Sequence, residues 1–247
     1  MVPRIIHQIW LGADPLPADF AGFVQTWRDH HPGWEHRLWT EENIPADLRH
    51  RHALERIRHP VERSDVLRLE LLHRLGGVYV DVDFECRSSL DRHIADARCF
   101  TALLKPTQRP QRVGNAFIGA VPGHPLLEAA LEELRPLDWY GFDKTASGSL
   151  FFNELVKRFP DVLILPPELV YPSSPAQEEE AICIHHAARS WNDAAGLRRA
   201  ALRAEQRLQA VQLKLEKERR SHARTRRRLE RLARLASEWA DERRGEQ

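Results

Sequence analysis

The sequence is short of cysteine and has no long apolar run. Its 247 residues include three cysteines, Cys86, Cys99 and Cys183, which are too few for the disulfide framework of a small secreted scaffold and predict a reducing compartment. No stretch approaches the roughly 18 uninterrupted apolar residues of a membrane-spanning helix. The apolar run at Ile5–Ile6 is too short for a signal peptide and is more typical of a strand. We therefore expect a cytoplasmic protein, either free or peripheral to the membrane.

Net charge is also small, at +1, but the charges are unevenly distributed. From Arg198 onward there are 16 Lys and Arg against 8 Asp and Glu, whereas the first 197 residues hold 21 basic and 28 acidic side chains. The basic region contains no proline and is rich in good helix formers. This change of composition predicts two regions, a globular domain over residues 1–193 and a helical, coiled-coil tail over residues 197–244.

The tail has an incomplete heptad pattern. Its core positions are apolar at both ends and polar in the middle, which favours a long helix and leaves open whether that helix self-associates. The basic run Arg224–Arg228 would suit an anionic surface, but a solvated helix face explains it equally simply. No aromatic residue interleaves the run, which argues against nucleic-acid binding. The heptad positions are Leu208, Val211, Leu215, Glu218, His222, Thr225, Leu229, Leu232, Ala236 and Trp239.

Within the first region, short apolar runs alternate with helical patterns, which predicts an α/β fold with a mostly parallel central sheet. The predicted strands are Ile5–Trp10, Glu35–Trp39, Gly77–Phe84, Ala116–Ala120, Val162–Leu165 and Ala181–His185. The predicted helices are Ala18–His30, Pro60–Arg74, Pro125–Leu134 and Ser147–Phe159.

The most informative motif is Asp81-Val82-Asp83, which follows the run Gly76-Gly77-Val78-Tyr79-Val80. Because strand side chains alternate between faces, we expect Asp81, Asp83 and Glu85 to lie on one face. Three clustered carboxylates repel one another unless they meet water or a cation. Hard oxygen ligands suit Mg²⁺ or Mn²⁺, and ligands of α/β sheets bind at the carboxyl ends of strands. The simpler alternative is a solvated strand end.

Other chemistries fit the residues less well. Cys183, His185 and His186 lack the second ligand pair of a zinc site. Cys86 has no base nearby in the sequence, which disfavours nucleophilic catalysis. A haloacid-dehalogenase-type phosphohydrolase also carries Asp-x-Asp after an apolar strand, but the threonine that commonly follows is absent here. A non-catalytic nucleotide- or glycan-binding module on a coiled-coil scaffold is a third hypothesis.

Four stretches taken together are more specific than any one of them. They are Ile5–Gly12, Ser64–Arg68, Gly76–Glu85 and His185–Trp191. In order and spacing they resemble the Asp-x-Asp glycosyltransferases of the Och1-like mannosyltransferase and capsular polysaccharide glycosyltransferase family, a family 32-like group. The resemblance covers roughly residues 3–193. It implies a GT-A, Rossmann-like domain and a retaining transfer of sugar from a UDP- or GDP-linked donor to a glycan, glycolipid or other hydroxyl acceptor.

The resemblance also implies roles for individual residues. Asp83 would be a direct ligand of Mn²⁺ or Mg²⁺, with Asp81 beside it and His186 completing the site. Asp81, Asp83 and Arg68 would form the catalytic group. The residues implied in donor binding are Trp10, which would stack on the nucleobase, with Ser64, Asp65, Arg68, Tyr79, Asp81, Asn115, Ser190 and Trp191.

Two departures from the family pattern affect the expected choice of donor. Ala187 and Arg189 stand where relatives often carry an aromatic residue and a glycine, and Thr145–Gly148 replaces a frequent Thr-Gly-Pro. Both lie in stretches expected to touch donor or acceptor. We expect the tail to mediate homo-oligomerisation or docking on a partner or membrane surface.

Overall fold

The computed structural model describes residues 1–11, 14–57, 60–104, 110–134 and 147–187. Strands and helices alternate along this part of the chain, as predicted. The strands are β1 (Ile5–Ile9), β2 (Glu35–Trp39), β3 (Gly77–Val80), β4 (Phe84–Cys86), β5 (Cys99–Leu103), β6 (Val113–Ala120), β7 (Leu163–Leu165) and β8 (Cys183–His185). The helices are α1 (Ala18–His30), α2 (Arg51–Arg56), α3 (Pro60–Leu75), α4 (Asp91–Ile94), α5 (Pro125–Glu133), α6 (Ser149–Val156), α7 (Pro167–Val170) and α8 (Pro175–Glu180).

The central sheet has the strand order β2-β1-β3-β6-β5-β7 among the described residues. Strand β6 runs antiparallel to its neighbours β3 and β5, whereas the β1–β2, β1–β3 and β5–β7 pairs are parallel. The prediction of an α/β fold with a mostly parallel sheet is therefore confirmed. A second, two-stranded antiparallel sheet pairs β4 with β8.

Each face of the central sheet carries its own hydrophobic cluster. The first contains Tyr79 of β3 with Leu72 of α3 and Leu127 of α5. The second contains Val78 and Val80 of β3, together with side chains from α1 and the small sheet. Alternate residues of β3 thus enter opposite clusters, which explains why this strand is apolar throughout: both of its faces are buried.

A glycine pair connects α3 to β3. Gly76 and Gly77 have φ angles of 64° and 96°, in the left-handed region that side chains other than glycine rarely adopt. A Cβ atom at Gly77 would lie 2.6 Å from the backbone oxygen of Ile5. The His7 ring contacts this turn, with Nε2 2.9 Å from the Gly76 oxygen. The turn seats β3 beside β1 and directs the chain toward the carboxyl edge of the sheet.

Some predicted elements were wrong. The predicted strand Gly77–Phe84 ends at Val80, and the chain turns before β4 begins at Phe84. Strand β5 and the short helices α2, α4, α7 and α8 were not predicted. Strand β5 is buried at four of its five residues, Cys99 to Ala102, so it lacks the polar alternation that marks a half-buried strand.

The described residues belong to one compact unit, Met1–Ala187. The predicted helical tail, residues 197–244, lies outside the described residues, so its coiled-coil character and the boundary at 193 remain predictions. Within the described ranges, none of the helices has the length and apolar character needed to cross a membrane.

Candidate active site

The Asp-x-Asp motif forms a turn between β3 and β4. The amide of Asp81 donates to the Ala116 oxygen at 3.0 Å, and the amide of Phe84 donates back to the Asp81 oxygen at 3.2 Å. The prediction that Asp81, Asp83 and Glu85 share one strand face was therefore wrong. Glu85 belongs to β4, and its carboxylate contacts Arg87 at 2.8 Å and His186 at 3.1 Å. The turn separates the two aspartates from the third carboxylate.

The two aspartates meet a histidine at the end of β8. Asp81, Asp83 and His185 each offer one ligand atom, and these atoms lie within 4.8 Å of one another. His185 Nε2 is 3.3 Å from Asp83 Oδ1. Two carboxylate oxygens and one imidazole nitrogen are a donor set that Mn²⁺ or Mg²⁺ accepts. The geometry therefore fits a divalent cation at the sheet edge.

The histidine in this group is not the predicted one. His186, which the resemblance implied as a metal ligand, stacks on Phe23 with ring centroids 4.2 Å apart and places Nε2 3.1 Å from Glu85 Oε2. The hydrogen bond from His186, followed by the contacts with Arg87, lowers the pKa of Glu85 to about 2 despite partial burial. Neighbouring residues at a strand end point in different directions, and here His185 is the one directed toward the aspartates.

Behind the turn lies a buried charged network centred on Arg68 of α3. Arg68 Nη2 is 3.0 Å from Asp65 Oδ1, and Nη1 is 3.3 Å from Asp81 Oδ1. Arg68 Nη1 also donates to the Asn115 backbone oxygen at 2.6 Å, while the Asn115 amide donates to Asp65 at 2.8 Å. The guanidinium carbon lies 4.4 Å from the centroid of the Tyr79 ring. The predicted residues of α3, β3 and β6 are thus brought together.

Burial and charge set the protonation of this network. Burial raises the pKa of Asp65 to about 7, although Arg68 acts in the opposite direction. Burial likewise raises the pKa of Asp81, with Arg68 opposing and Asp83 adding to the rise. Burial disfavours the charge of Arg68, but Tyr79, Asp81 and Asp65 outweigh it, so the pKa of the guanidinium is raised. One buried cation therefore stands between two carboxyl groups.

The remaining predicted residues lie around this centre. Trp10 follows β1, is half-buried, and donates from Nε1 to the Asp14 oxygen at 2.9 Å. The Tyr79 hydroxyl donates to Asp81. The hydroxyl of Ser64 donates to the Pro60 oxygen of its own helix at 2.9 Å. Ser190 and Trp191 lie outside the described residues.

Sequence reasoning missed one aromatic residue at this centre. Tyr171, immediately after α7, packs its ring edge-on against His185 with centroids 5.6 Å apart. It stands 86 positions after Glu85 in a segment without polar periodicity, so no local pattern connects it to the motif. Helix α7 lies beside the start of β8, where the amide of Ile182 donates to the Leu169 oxygen at 2.8 Å, and this contact brings Tyr171 close.

Part of the chain matches a known protein family. Residues 17–100 match the family described as "Glycosyltransferase sugar-binding region containing DXD motif", and Asp81 and Asp83 lie inside the matched range. This part of the chain is therefore similar to the sugar-binding region of DXD glycosyltransferases. The family resemblance drawn from the four sequence stretches is thereby confirmed.

Two yeast proteins are similar to this chain over most of its length. "Mannosyl phosphorylinositol ceramide synthase SUR1" of Saccharomyces cerevisiae is 32% identical over 169 residues, which cover 64% of this chain and 43% of that protein. "Inositol phosphoceramide mannosyltransferase 1" of Schizosaccharomyces pombe is 28% identical over 182 residues, covering 68% and 54%. The chain thus spans about half the length of these curated relatives.

A solved structure, "PaToxG Glycosyltransferase", is also similar to this chain. It overlaps with a TM-score of 0.48 and 13% sequence identity, over 64% of this chain and 70% of that one.

Proposed function

We propose that the chain is a divalent-metal-dependent glycosyltransferase that moves a sugar from a nucleotide-sugar donor to a hydroxyl group of a glycan or glycolipid. The observation that carries the proposal is the convergence of Asp81, Asp83 and His185 within 4.8 Å. The match of residues 17–100 to the DXD glycosyltransferase family supports the reaction class. Retention of anomeric configuration is the part that rests on the family resemblance alone, and the anomeric proton signal of the product tests it.

The residues fit a bound Mn²⁺ or Mg²⁺. Asp83 is 5% exposed and offers its carboxylate beside His185 Nε2, while Asp81 completes the group. When bound, such an ion supplies positive charge that stabilises a departing diphosphate. This chain's own residues hold the ligand atoms in place before any substrate arrives, and preorganised charge is a large catalytic term.

Arg68 is proposed to orient the site. Its guanidinium contacts Asp65, Asp81 and the Asn115 oxygen, all within 3.3 Å. These contacts direct the guanidinium group of Arg68 toward other protein groups. We therefore assign Arg68 the role of positioning Asp81 and Asn115. Asn115 and Asp65 are linked by their own hydrogen bond. The Asp81 carboxylate of the candidate cation site is therefore held in position by the buried positive charge of Arg68.

Trp10 is proposed as the stacking surface for the nucleobase of the donor. It follows β1 at the carboxyl edge of the sheet, and its ring meets Phe20 edge-on with centroids 5.8 Å apart. Stacking on an aromatic ring suits any base, because every base has a π face. The contact would therefore hold a UDP- or a GDP-linked donor.

The proposal extends to the fold type and the substrates. We assign the domain to the GT-A type, supported by the mostly parallel sheet with its single reversed strand β6 among the described residues. The names of the two yeast relatives describe mannosyl transfer to inositol phosphoceramide. A glycolipid acceptor and a mannose donor are accordingly the first candidates, with other UDP- and GDP-sugars next.

The rival functions receive less support. A haloacid-dehalogenase-type enzyme needs its first aspartate free as a nucleophile, whereas Asp81 is bound to Arg68 and Tyr79. A non-catalytic binding module has no need for the buried charges beside the motif. Release of inorganic phosphate without a sugar acceptor would favour the first rival, and nucleotide binding that gains nothing from Mn²⁺ would favour the second.

The tail is proposed to set oligomeric state or location. This rests on its excess of basic residues and its partial heptad pattern. Comparing the full chain with one ending at Gly196 by analytical ultracentrifugation and by flotation with anionic vesicles tests both uses. If both the full chain and the shortened chain are monomeric and neither floats with the vesicles, the proposal is contradicted.

The central test is a screen of nucleotide sugars with and without Mn²⁺. Donor hydrolysis by the full chain is expected to require the metal, and Asp83→Ala is expected to abolish it while leaving the unfolding midpoint close to that of the unchanged chain. Glu85→Gln is the matched control, because that carboxylate faces His186 and Arg87. Full metal-dependent turnover by Asp83→Ala would refute the proposal.

A further inference from the structure

Two contacts hold the side chain of Trp10 at the carboxyl end of β1. Its indole Nε1 donates to the backbone oxygen of Asp14 at 2.9 Å. Its ring meets the Phe20 ring edge-on, with centroids 5.8 Å apart and an angle of 78° between the planes. A half-buried tryptophan just after a strand is otherwise free to occupy several rotamers. The two contacts together fix the plane of the indole.

Phe20 is itself firmly held. It lies in the first turn of α1 and is 4% exposed. Its ring packs against Phe23 with centroids 6.3 Å apart, and Phe23 stacks on His186 at 4.2 Å. Four rings thus form a continuous row from Trp10, after β1, to His186, after β8. Because Phe20 is fixed by burial and by the next ring of the row, it offers Trp10 a rigid contact.

The contact with Asp14 limits what Trp10 can offer to a ligand. An indole has one hydrogen-bond donor and no acceptor, and in Trp10 the donor is engaged by the Asp14 oxygen. The ring surface remains, and it interacts with a flat aromatic ligand by stacking. Stacking requires nearly parallel planes. The angle at which Trp10 is held therefore decides how well a nucleobase packs on it.

We propose that Phe20 is a positioning residue that holds the Trp10 indole in the orientation that accepts the nucleobase of the donor. This inference rests on the proposed function, and it adds a residue outside the four stretches that carry the family resemblance. A site that is correctly oriented for only part of the time binds its ligand more weakly in the same proportion. Edge-to-face aromatic pairs act on a scale of about 2- to 10-fold in an equilibrium constant.

Two substitutions of Phe20 in the full chain test the role of its ring. Phe20→Leu removes the ring, so the Kd for UDP or GDP in the presence of Mn²⁺ should rise about 2- to 10-fold, while the Kd for Mn²⁺ alone stays within about twofold. Phe20→Tyr keeps the ring and should hold the nucleotide Kd within about twofold of the unchanged chain. Isothermal titration calorimetry measures these constants, and thermal unfolding checks that each variant is folded.

A double-mutant cycle shows whether Phe20 acts through Trp10. In a Trp10→Ala background there is no indole left to orient, so adding Phe20→Leu should change the nucleotide Kd by less than about 1.5-fold. A general structural role of Phe20 would instead weaken nucleotide binding by the same factor with and without Trp10.

Phe152→Leu is the matched control, because it makes the same substitution at a similarly buried phenylalanine, 1% exposed, in α6. Phe152 belongs to the first hydrophobic cluster, together with Leu72 and Leu127. The control should lower the unfolding midpoint and leave the nucleotide Kd unchanged. If it weakens nucleotide binding as much as Phe20→Leu does, general loosening of the core explains the effect and the inference is overturned.

Failure of the inference and failure of the proposed function are distinguishable. If the unchanged chain binds UDP or GDP with Mn²⁺ and Phe20→Leu binds it equally well, the role of Phe20 is overturned and the proposed function stands. The same conclusion follows if Phe20→Tyr loses as much affinity as Phe20→Leu, or if the loss persists in the Trp10→Ala background. If the unchanged chain binds neither nucleotide in the presence of Mn²⁺, both are overturned.

Discussion

His186 lies parallel to Phe23 of α1, with ring centroids 4.2 Å apart and an angle of 7° between the planes. Its Nε2 faces Glu85, so the ring is held on both sides by protein groups. The adjacent His185 instead faces Asp83. Two consecutive histidines thus have different surroundings, and this difference leads to a direct test.

His185→Ala should weaken Mn²⁺ binding by about tenfold or more, since disturbing even an outer partner of a metal ligand reaches that scale. His186→Ala should change Mn²⁺ affinity by less than about threefold, because its contacts are with Phe23 and Glu85. Titration calorimetry with Mn²⁺ measures both. The opposite ranking would restore His186 as the ligand that the family resemblance implied.

Arg68→Met should lower the free energy of unfolding by about 3–5 kcal/mol at pH 7.5, because it leaves buried Asp65 and Asp81 without their cation. The loss should be smaller at pH 5, where both carboxyl groups take up protons more readily, since the pKa of each is already raised. Urea denaturation of the unchanged chain and of Arg68→Met at the two pH values measures this loss of unfolding free energy.

Arg158→Met is the control for that experiment. Arg158 pairs with Glu133 at 2.7 Å, but both side chains are about half exposed, so the expected loss is below about 1 kcal/mol. An equal loss for the two variants would show that the Arg68 network adds nothing beyond a surface ion pair.

Trp10→Ala should weaken binding of the nucleotide donor by about 1–3 kcal/mol, or roughly 5- to 150-fold in Kd, the scale for a base stacked on an aromatic side chain. Trp10→Phe keeps a stacking face and should retain most of the affinity. Calorimetry with the free nucleotide in the presence of Mn²⁺ measures this contribution. An unchanged Kd for the alanine variant would contradict stacking.

Stability should fall in acid because of His7. This residue is fully buried, with Nε2 2.9 Å from the Gly76 oxygen and Nδ1 accepting from Trp39 Nε1 at 3.1 Å. Burial lowers its pKa from 6.5 to about 4. The unfolded chain therefore binds a proton that the folded chain resists, and up to about 3 kcal/mol of stability is lost as pH falls from 6.5 toward 4.

His7→Gln carries no titrating group at that position and should show a flatter dependence on pH in urea denaturation across this range. His52→Gln is the control, because the His52 side chain is fully exposed. Identical pH profiles for the unchanged chain and His7→Gln would mean that the buried ring does not govern acid stability.

Much of the fold could be predicted from the sequence, namely the elements whose hydrophobic pattern matches their burial in the structure. Helix α1 and strand β2 have the bounds expected from their sequence, Ala18–His30 and Glu35–Trp39. In α1 the buried face is visible in residue type, because the apolar residues Phe20, Val24 and Trp27 recur at helical spacing. Strand β5 was missed because it is apolar along most of its length, and such a run contains no signal that separates strand from helix or from continued loop.

For the candidate site, the sequence likewise predicted the residue types but not all of their positions. Two aspartates after an apolar strand predicted a candidate site for a divalent cation, with a solvated strand end as the alternative, and the family resemblance added a histidine ligand. The assumption of a continuing strand then led to a wrong position for Glu85. A backbone turn at Asp81–Phe84 depends on the pairing of β4 with β8, a contact between segments about 100 positions apart.

The sequence by itself determined which chemistry is available: carboxylates, imidazole and an arginine in an order that resembles the DXD glycosyltransferases. The tertiary structure alone decided that His185 faces Asp83 and that Tyr171 stands beside it. The physical reason is that residue order specifies the types of side chain. The direction of a side chain at a strand end depends on backbone turns and on packing against distant elements.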